Sequence, residues 1–146
     1  ERIATQNVEG HHRKVGNITV DKLYGSLHNI RCHDCRSRAS EQAFLDKEPC
    51  KVCGGKLRPG VALLGEVLAQ DVWNETIQAI QTADLIICIG TDLKAYPIYR
   101  LPHISRGKLV YINDDVSELE LDFDLVIEGS VKEILQRADE VLKANS

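Results

Sequence analysis

The second half of the chain has an alternating pattern of apolar runs and amphipathic stretches. Continuous apolar runs at residues 85–89, 109–112 and 123–127 are typical of strands buried on both faces, as in a parallel sheet. Apolar residues recur at the helical period over residues 68–83 and 131–142. This order of elements predicts an α/β fold with a Rossmann-like parallel sheet flanked by helices.

The first half has shorter and weaker patterns. Residues 2–5 resemble the end of a strand, and residues 18–26 a strand or an extended loop. Short helices are expected at 11–15 and 39–45, and a further strand at 57–64.

Small or polar residues follow the three strands predicted in the second half, at Gly90, Asn113 and Gly129. The carboxyl ends of parallel strands meet at one edge of the sheet, where open α/β folds bind their ligands. We therefore expect a nucleotide-binding crevice at this edge.

Four of the five cysteines form two CxxC pairs separated by fourteen residues: Cys32, Cys35, Cys50 and Cys53. This spacing is typical of a four-cysteine zinc ribbon, in which the sulfurs fill the tetrahedron and leave no position for catalysis. Two small disulfides, or thiols without a function, are the alternatives. The pattern divides the chain into a zinc-binding module at 27–56 and a Rossmann-like domain formed by 1–26 and 57–146.

Composition narrows the function classes. The net charge of −4 over 146 residues argues against a nucleic-acid-binding surface along the whole chain. No apolar run reaches membrane-spanning length, and thiol zinc ligands suit a reducing compartment, the cytoplasm or a eukaryotic nucleus. The chain begins with Glu1 and has no methionine, so we expect residues to precede it.

Five motifs resemble those of the sirtuins, the NAD-dependent protein-lysine deacylases, and appear in the same order. TQNVEGHHRK at residues 5–14 is similar to TQNxDxLHRKAG, and KLYGS at 22–26 to ELHGS. CGGKLRPGVALLGE at 53–66 is similar to CGGxLRPxVVxFGE, GTDLKAYP at 90–97 to GTSLxVxP, and IN at 112–113 to the same dipeptide. The resemblance covers essentially the whole chain.

The resemblance implies NAD as the cosubstrate and an acylated-lysine protein or peptide as the partner. Asn7 would orient the nicotinamide ribose and a water in the catalytic centre. The other cofactor-binding positions would be Gln6 and Glu9 at the nicotinamide, Gly90, Thr91 and Asp92 at the phosphates and adenosine ribose, Asn113 at the same ribose, and Ser130 and Val131 at the adenine. The substrate would pair as a strand with a segment containing Val61, Leu64, Gly65 and Glu66.

Several positions depart from the family pattern. The general base of the family is the histidine of ELHGS, and Tyr24 stands there. A phenol, with a pKa of about 10, stays protonated at neutral pH, whereas histidine titrates at about 6.5. Glu9 replaces an aspartate, Leu64 a phenylalanine and Asp92 a serine, and the family's GAGxS phosphate loop would belong to a preceding segment.

Two functions remain open at the sequence level. The chain belongs either to an NAD-dependent protein deacetylase whose activity Tyr24 reduces, or to a degenerate relative that binds NAD, ADP-ribose or a protein partner without deacylating. An isolated zinc-ribbon interaction module would leave residues 68–146 unexplained.

Overall fold

The computed structural model describes residues 1–17, 19–63 and 65–145. The chain divides into two compact units, Glu1–Thr76 and Ile77–Ser146. The division into a zinc-binding module and a Rossmann-like domain, drawn from the sequence, stays a prediction.

The first unit contains two sheets. Strand β1 (Ile3–Thr5) pairs in parallel with β2 (Val20–Lys22), and the short helix α1 (His11–Lys14) connects them. The second sheet is antiparallel with the order β4-β3-β5, made of β3 (Gly25–Cys32), β4 (Arg38–Ala39) and β5 (Leu57–Val61). Helix α2 (Glu41–Leu45) follows β4, and the side chain of Ser40 caps it by accepting a hydrogen bond from the backbone N–H of Ala43.

The second unit contains a parallel sheet with the order β6-β7-β8. Its strands are β6 (Leu85–Ile89), β7 (Lys108–Asn113) and β8 (Leu125–Glu128), paired in continuous parallel register. Helix α4 (Val131–Ala144) follows β8, and helix α3 (Gln70–Thr82), which begins in the first unit, precedes β6. The predicted α/β class with parallel strands is therefore confirmed.

Three details differ from the sequence predictions. The predicted strand at 57–64 ends at Val61, and the segment predicted over 18–26 forms β2, a turn at residues 23–24 and the start of β3. The expected burial of the 85–89 strand on both faces is wrong, because Leu85, Ile87 and Ile89 stay 54%, 48% and 38% exposed. The described residues thus cover this face of β6 only partly.

In the described part of the chain, no helix combines the length and the apolar character that crossing a bilayer requires. The predictions for Ile18 and Leu64 fall outside the described residues.

A partly buried network of ion pairs and hydrogen bonds connects Arg2, just before β1, with β2 and α3 within the first unit. Arg2 donates two hydrogen bonds to the Asp21 carboxylate, from Nε at 2.6 Å and from Nη2 at 2.8 Å. The Thr76 hydroxyl donates to Asp21 Oδ2 at 2.9 Å, and Glu75 accepts from Arg2 Nη2 at 2.7 Å. Because Asp21 is buried, these donors replace the water that its carboxylate loses on folding.

Thr76→Val should destabilise the protein, because Thr76 is only 1% exposed and valine of similar shape cannot donate to the Asp21 carboxylate. A hydrogen bond to a charged group contributes about 2 kcal/mol, and we expect a loss of that size in the free energy of unfolding, measured with urea. Thr82→Val is the matched control in the same helix, since the exposed Thr82 hydroxyl donates, among the described residues, to carbonyls of its own helix. Equal losses in the two variants would contradict the proposed role of Thr76.

Candidate active site and metal centre

The ladder between β3 and β5 connects the cysteine cluster to the turn that carries Tyr24. Its register runs from Cys32 opposite Leu57 to Gly25 opposite Val61, with an irregularity between Ser26 and Ile30. At the Tyr24 end, the backbone N–H of Ala62 donates to the Tyr24 carbonyl at 2.9 Å. The structure thus brings the predicted base position and the start of the predicted substrate segment together.

Gly25 permits this close approach. Its φ is +82°, in the left-handed region that favours glycine, and a Cβ there would lie 2.0 Å from the carbonyl oxygen of Gly60. A side chain at residue 25 would therefore push β5 away from the Tyr24 turn.

The loop after β1 carries Gln6, Asn7 and Glu9. The Thr5 hydroxyl accepts from the backbone N–H of Asn7 at 3.1 Å, and the Thr5 carbonyl accepts from Leu23 at 3.0 Å. The Val8 carbonyl accepts from the backbone N–H of Leu27 at 3.1 Å. These bonds place the three predicted nicotinamide-pocket residues beside the Tyr24 turn, with Asn7 and Glu9 exposed.

Two residues near this loop were missed by the sequence reasoning. A ring nitrogen of His28 lies 3.2 Å from the Glu9 carbonyl oxygen, and the other lies 2.9 Å from Glu41 Oε1. The Lys22 ammonium donates to the Ser26 hydroxyl at 3.3 Å. Neither residue has a sequence spacing that would indicate these contacts.

An ion pair between Arg58 and Glu66 links strand β5 to the far end of the predicted substrate segment. Arg58 Nη1 donates to Glu66 Oε1 at 2.6 Å and Nη2 to Oε2 at 3.0 Å, while Nη2 also donates to the Val61 carbonyl at 3.1 Å. The backbone N–H of Leu63 donates to Glu66 Oε2 at 3.0 Å, and Gly65 has a φ of +84°. The Arg58 guanidinium, together with the Leu63 N–H, lowers the pKa of Glu66 to about 2.

In the second unit, the loop after β6 holds Gly90, Thr91 and Asp92 beyond the carboxyl end of the strand. The backbone N–H of Gly90 donates to the Ile112 carbonyl at 3.0 Å, which ties the loop to β7. The Asp92 carboxylate accepts from the backbone N–H of Lys94 at 3.1 Å, so one of its oxygens is engaged in its own turn.

The ends of β7 and β8 present the remaining predicted nucleotide residues. The Asn113 side-chain amide donates to the Tyr111 hydroxyl at 2.8 Å, and its carbonyl oxygen accepts from the Asp114 N–H at 3.0 Å. Ser130 is the N-cap of α4, and the Val131 N–H donates to the Asp114 carboxylate at 3.2 Å. Asn113, Ser130 and the 90–92 loop thus all lie at the carboxyl edge of one parallel sheet, an arrangement that fits a nucleotide.

The four predicted metal ligands form one cluster. The sulfurs of Cys32, Cys35, Cys50 and Cys53 all lie within 4.8 Å of one another, with 3.5 Å between Cys32 and Cys53 and 3.7 Å between Cys35 and Cys50. Tetrahedral Zn–S bonds of about 2.3 Å separate neighbouring sulfurs by about 3.8 Å, so this donor set fits a zinc ion. All five cysteines are free thiols, which excludes the two disulfides.

Hydrogen bonds near the two CxxC pairs change the pKa values of individual cysteine thiols. The Ser37 hydroxyl lies 3.1 Å from the sulfurs of both Cys35 and Cys50, and with backbone N–H donors it lowers the pKa of Cys50 to about 6. The Gly55 N–H favours the Cys53 thiolate, but the nearby Cys35 and Cys32 sulfurs outweigh it and raise that pKa to about 12. Without a cation among them, four sulfurs at this distance cannot all carry charge, whereas a divalent ion removes the conflict.

The comparisons with known proteins agree with this geometry. A model described as the Sir2 family matches residues 1–97. An "NAD-dependent protein deacetylase" of Cutibacterium acnes is 40% identical over 143 residues, covering 93% of this chain and 58% of the relative.

Solved structures match with TM-scores near 0.9. One, titled "Sir2-p53 peptide-NAD+", has a TM-score of 0.90 at 28% identity and covers 99% of this chain and 64% of that one. Another, a histidine-to-tyrosine mutant of Sir2 with a p53 peptide and NAD, has a TM-score of 0.88 at 29% identity, covering 99% and 65%. The chain spans 59%, 60% and 54% of the length of three curated relatives it matches.

Glu66→Gln should destabilise the protein in a pH-dependent manner. Because folding lowers the pKa of Glu66 from its ordinary 4.5 to about 2, its stabilising effect is complete above pH 4.5 and disappears as the pH falls towards 2. The difference in urea midpoint between the variant and the unaltered protein should therefore be largest at neutral pH and shrink below pH 4.5. Glu48→Gln, at an exposed carboxylate, is the control, and a difference that does not change with pH would contradict the Arg58–Glu66 contact.

The purified protein should contain about one zinc ion per chain, as measured by metal analysis. Cys50→Ser should abolish zinc binding, whereas Cys88→Ser should retain it, because Cys88 lies in β6 outside the cluster. Removing the metal with a chelator should unfold the cysteine-bearing segment, which circular dichroism and proteolysis would detect. Zinc retained by Cys50→Ser, or chelation without structural change, would contradict the metal centre.

Proposed function

The chain belongs to the Sir2 family, and from this premise we propose that the protein is an NAD-dependent protein-lysine deacetylase. The observation that carries the proposal is the convergence of three elements in the first unit. The Asn7 loop, the Tyr24 turn and the segment after Val61 are tied together by backbone hydrogen bonds between Thr5 and Leu23 and between Ala62 and Tyr24. A small set of polar groups thus converges on the place where a peptide strand would begin.

NAD, when bound, supplies a nicotinamide–ribose bond whose cleavage allows the acyl group to be transferred to the ribose. Asn7 would orient that ribose and a water, and Gln6 and Glu9 would line the nicotinamide pocket. In the second unit, Gly90, Thr91 and Asp92 would face the phosphates and the adenosine ribose, Asn113 would hold that ribose, and Ser130 and Val131 would contact the adenine. These assignments are supported by the position of the residues at the carboxyl ends of the parallel strands β6, β7 and β8.

The substrate would be a protein or peptide with an acylated lysine. Strand β5 is at the edge of the β4-β3-β5 sheet, so the backbone from Val61 onward can accept a further strand. The Arg58–Glu66 pair, with its bonds to the Val61 carbonyl and the Leu63 N–H, ties the backbone at these two residues to Glu66. Main-chain pairing of this kind gives affinity with little dependence on peptide sequence, and Leu64 is proposed to contact the acyl-lysine.

The zinc ion would be held by Cys32, Cys35, Cys50 and Cys53 and would have a structural role. Four sulfurs occupy every position of a tetrahedral ion, so it would not activate water. Thiolate ligands remain reduced in the cytoplasm, and we place the protein there.

Tyr24 favours a second candidate function, in which the protein binds NAD or ADP-ribose and a peptide without deacylating it. A protonated phenol cannot take a proton from the ribose hydroxyl as an imidazole would, and a missing base lowers the rate by about 10² to 10⁴. A Sir2 mutant with tyrosine in place of histidine has been solved with both a p53 peptide and NAD, so that exchange is compatible with ligand binding in that protein.

An assay of nicotinamide release from NAD with an acetyl-lysine peptide distinguishes the two functions. Tyr24→His in the intact protein should raise the rate by about 10² to 10⁴ if Tyr24 limits a deacetylase, because it restores a base that titrates near neutral pH. Tyr99→His, at an exposed tyrosine, is the control and should leave the rate unchanged.

If Tyr24→His does not raise the rate of nicotinamide release, calorimetric measurement of NAD binding shows how to interpret that result. NAD binding without turnover in both the unaltered protein and Tyr24→His would favour the non-deacylating function. Absence of both binding and turnover in the two proteins would refute the deacetylase proposal.

A further inference from the structure

We infer that the hydroxyl of Tyr111 is a positioning group for the nucleotide site, which fixes the orientation of the Asn113 side-chain amide. The inference rests on the proposed function, since it takes Asn113 as the residue that binds the adenosine ribose. Tyr111 lies on β7 two residues before Asn113, so both side chains leave the strand on the same face.

The Tyr111 side chain is held rigidly. The residue is 2% exposed, and its ring packs against Phe123 with the ring centroids 5.1 Å apart. Its hydroxyl reaches the carboxyl edge of the sheet, where it contacts the carbonyl oxygen of Thr91 at 2.7 Å and the side-chain nitrogen of Asn113 at 2.8 Å. The hydroxyl therefore bridges the loop after β6 and the end of β7.

The single hydroxyl proton determines the direction of both hydrogen bonds. The Thr91 carbonyl can only accept, so the Tyr111 O–H must donate to it. The hydroxyl oxygen then serves as acceptor for Asn113, which must present its NH₂ group inward. This order places the Asn113 carbonyl oxygen on the other side, where it accepts the N–H of Asp114 at 3.0 Å.

The consequence is a defined hydrogen-bond acceptor at the ribose position. A carbonyl oxygen has two lone pairs, so Asn113 can accept one bond from Asp114 and a second from a ribose hydroxyl. If the amide flipped, it would present N–H donors to the backbone N–H of Asp114 and to the ribose. The Asp114 N–H and the Thr91 carbonyl, which lies 3.5 Å from the Asn113 amide nitrogen, favour the same orientation. Tyr111 adds the shortest of these contacts and so opposes an orientation that would weaken recognition of the ribose hydroxyls.

Tyr111→Phe tests this role because it removes one oxygen and keeps the ring in place. The probes are ADP-ribose and an analogue whose adenosine lacks the 2′ and 3′ hydroxyls, each titrated calorimetrically into the intact protein. We expect ADP-ribose to bind about tenfold more weakly and the analogue to lose less than about twofold. Tyr99→Phe is the matched control at a tyrosine that is 41% exposed, and both affinities should remain unchanged in it.

A second measurement separates positioning from a merely structural role. In an Asn113→Ala background, Tyr111→Phe should cause no further loss of ADP-ribose affinity, because the group it orients is absent. Equal weakening of both probes, or additive losses in the double variant, would overturn the inference while leaving the proposed function intact. Failure of the unaltered protein to bind ADP-ribose would instead overturn the proposed function, and the inference with it.

Discussion

The antiparallel ladder between β3 and β5 is the constraint on which the first unit depends. Cys32 lies at one end of the ladder, among the four clustered cysteines, and Gly25 lies at the other end, beside the Tyr24 turn. The pairing register between the strands therefore fixes where the segment that begins at Val61 lies relative to the cysteine cluster. Because Gly25 and Gly60 approach without side chains between them, this end tolerates little adjustment.

In the second unit, a parallel sheet fixes the positions of the loops that follow its strands. Hydrogen bonds from Gly90 to Ile112 and from Gly129 to Asn113 tie the loops after β6 and β8 to the central strand β7. The two loops meet at the carboxyl edge of the sheet because β7 is the central strand. Its backbone carbonyls at Ile112 and Asn113 accept hydrogen bonds from both neighbouring loops. The exposed carboxylates of Asp92 and Asp114 each accept a hydrogen bond from a backbone N–H, which partly offsets their negative charge at this edge.

Sequence patterns predicted the parts of this structure that repeat locally. The strand at Leu85–Ile89 was bounded correctly because an apolar run ends at a glycine, and the cysteine cluster because ligand spacing in CxxC pairs follows from knuckle geometry. Contacts between polar residues that are far apart in the sequence could not be predicted from a local pattern. The bonds from Thr76 to Asp21 and from Arg58 to Glu66 depend on how elements pack, and Tyr111 is hidden in an apolar run although its hydroxyl acts at the edge.

The scaffold around residue 24 is largely independent of the side chain there. The turn is held by the Tyr24 carbonyl, by the φ of +82° at Gly25 and by the bond from Leu23 to Thr5, all of which are backbone features. A histidine or a tyrosine can therefore occupy this position with the same ladder, cysteine cluster and proposed substrate segment around it. The fold around residue 24 can thus stay the same when its side chain changes, because main-chain hydrogen bonds fix the turn, whereas the proposed base chemistry depends on the side chain alone.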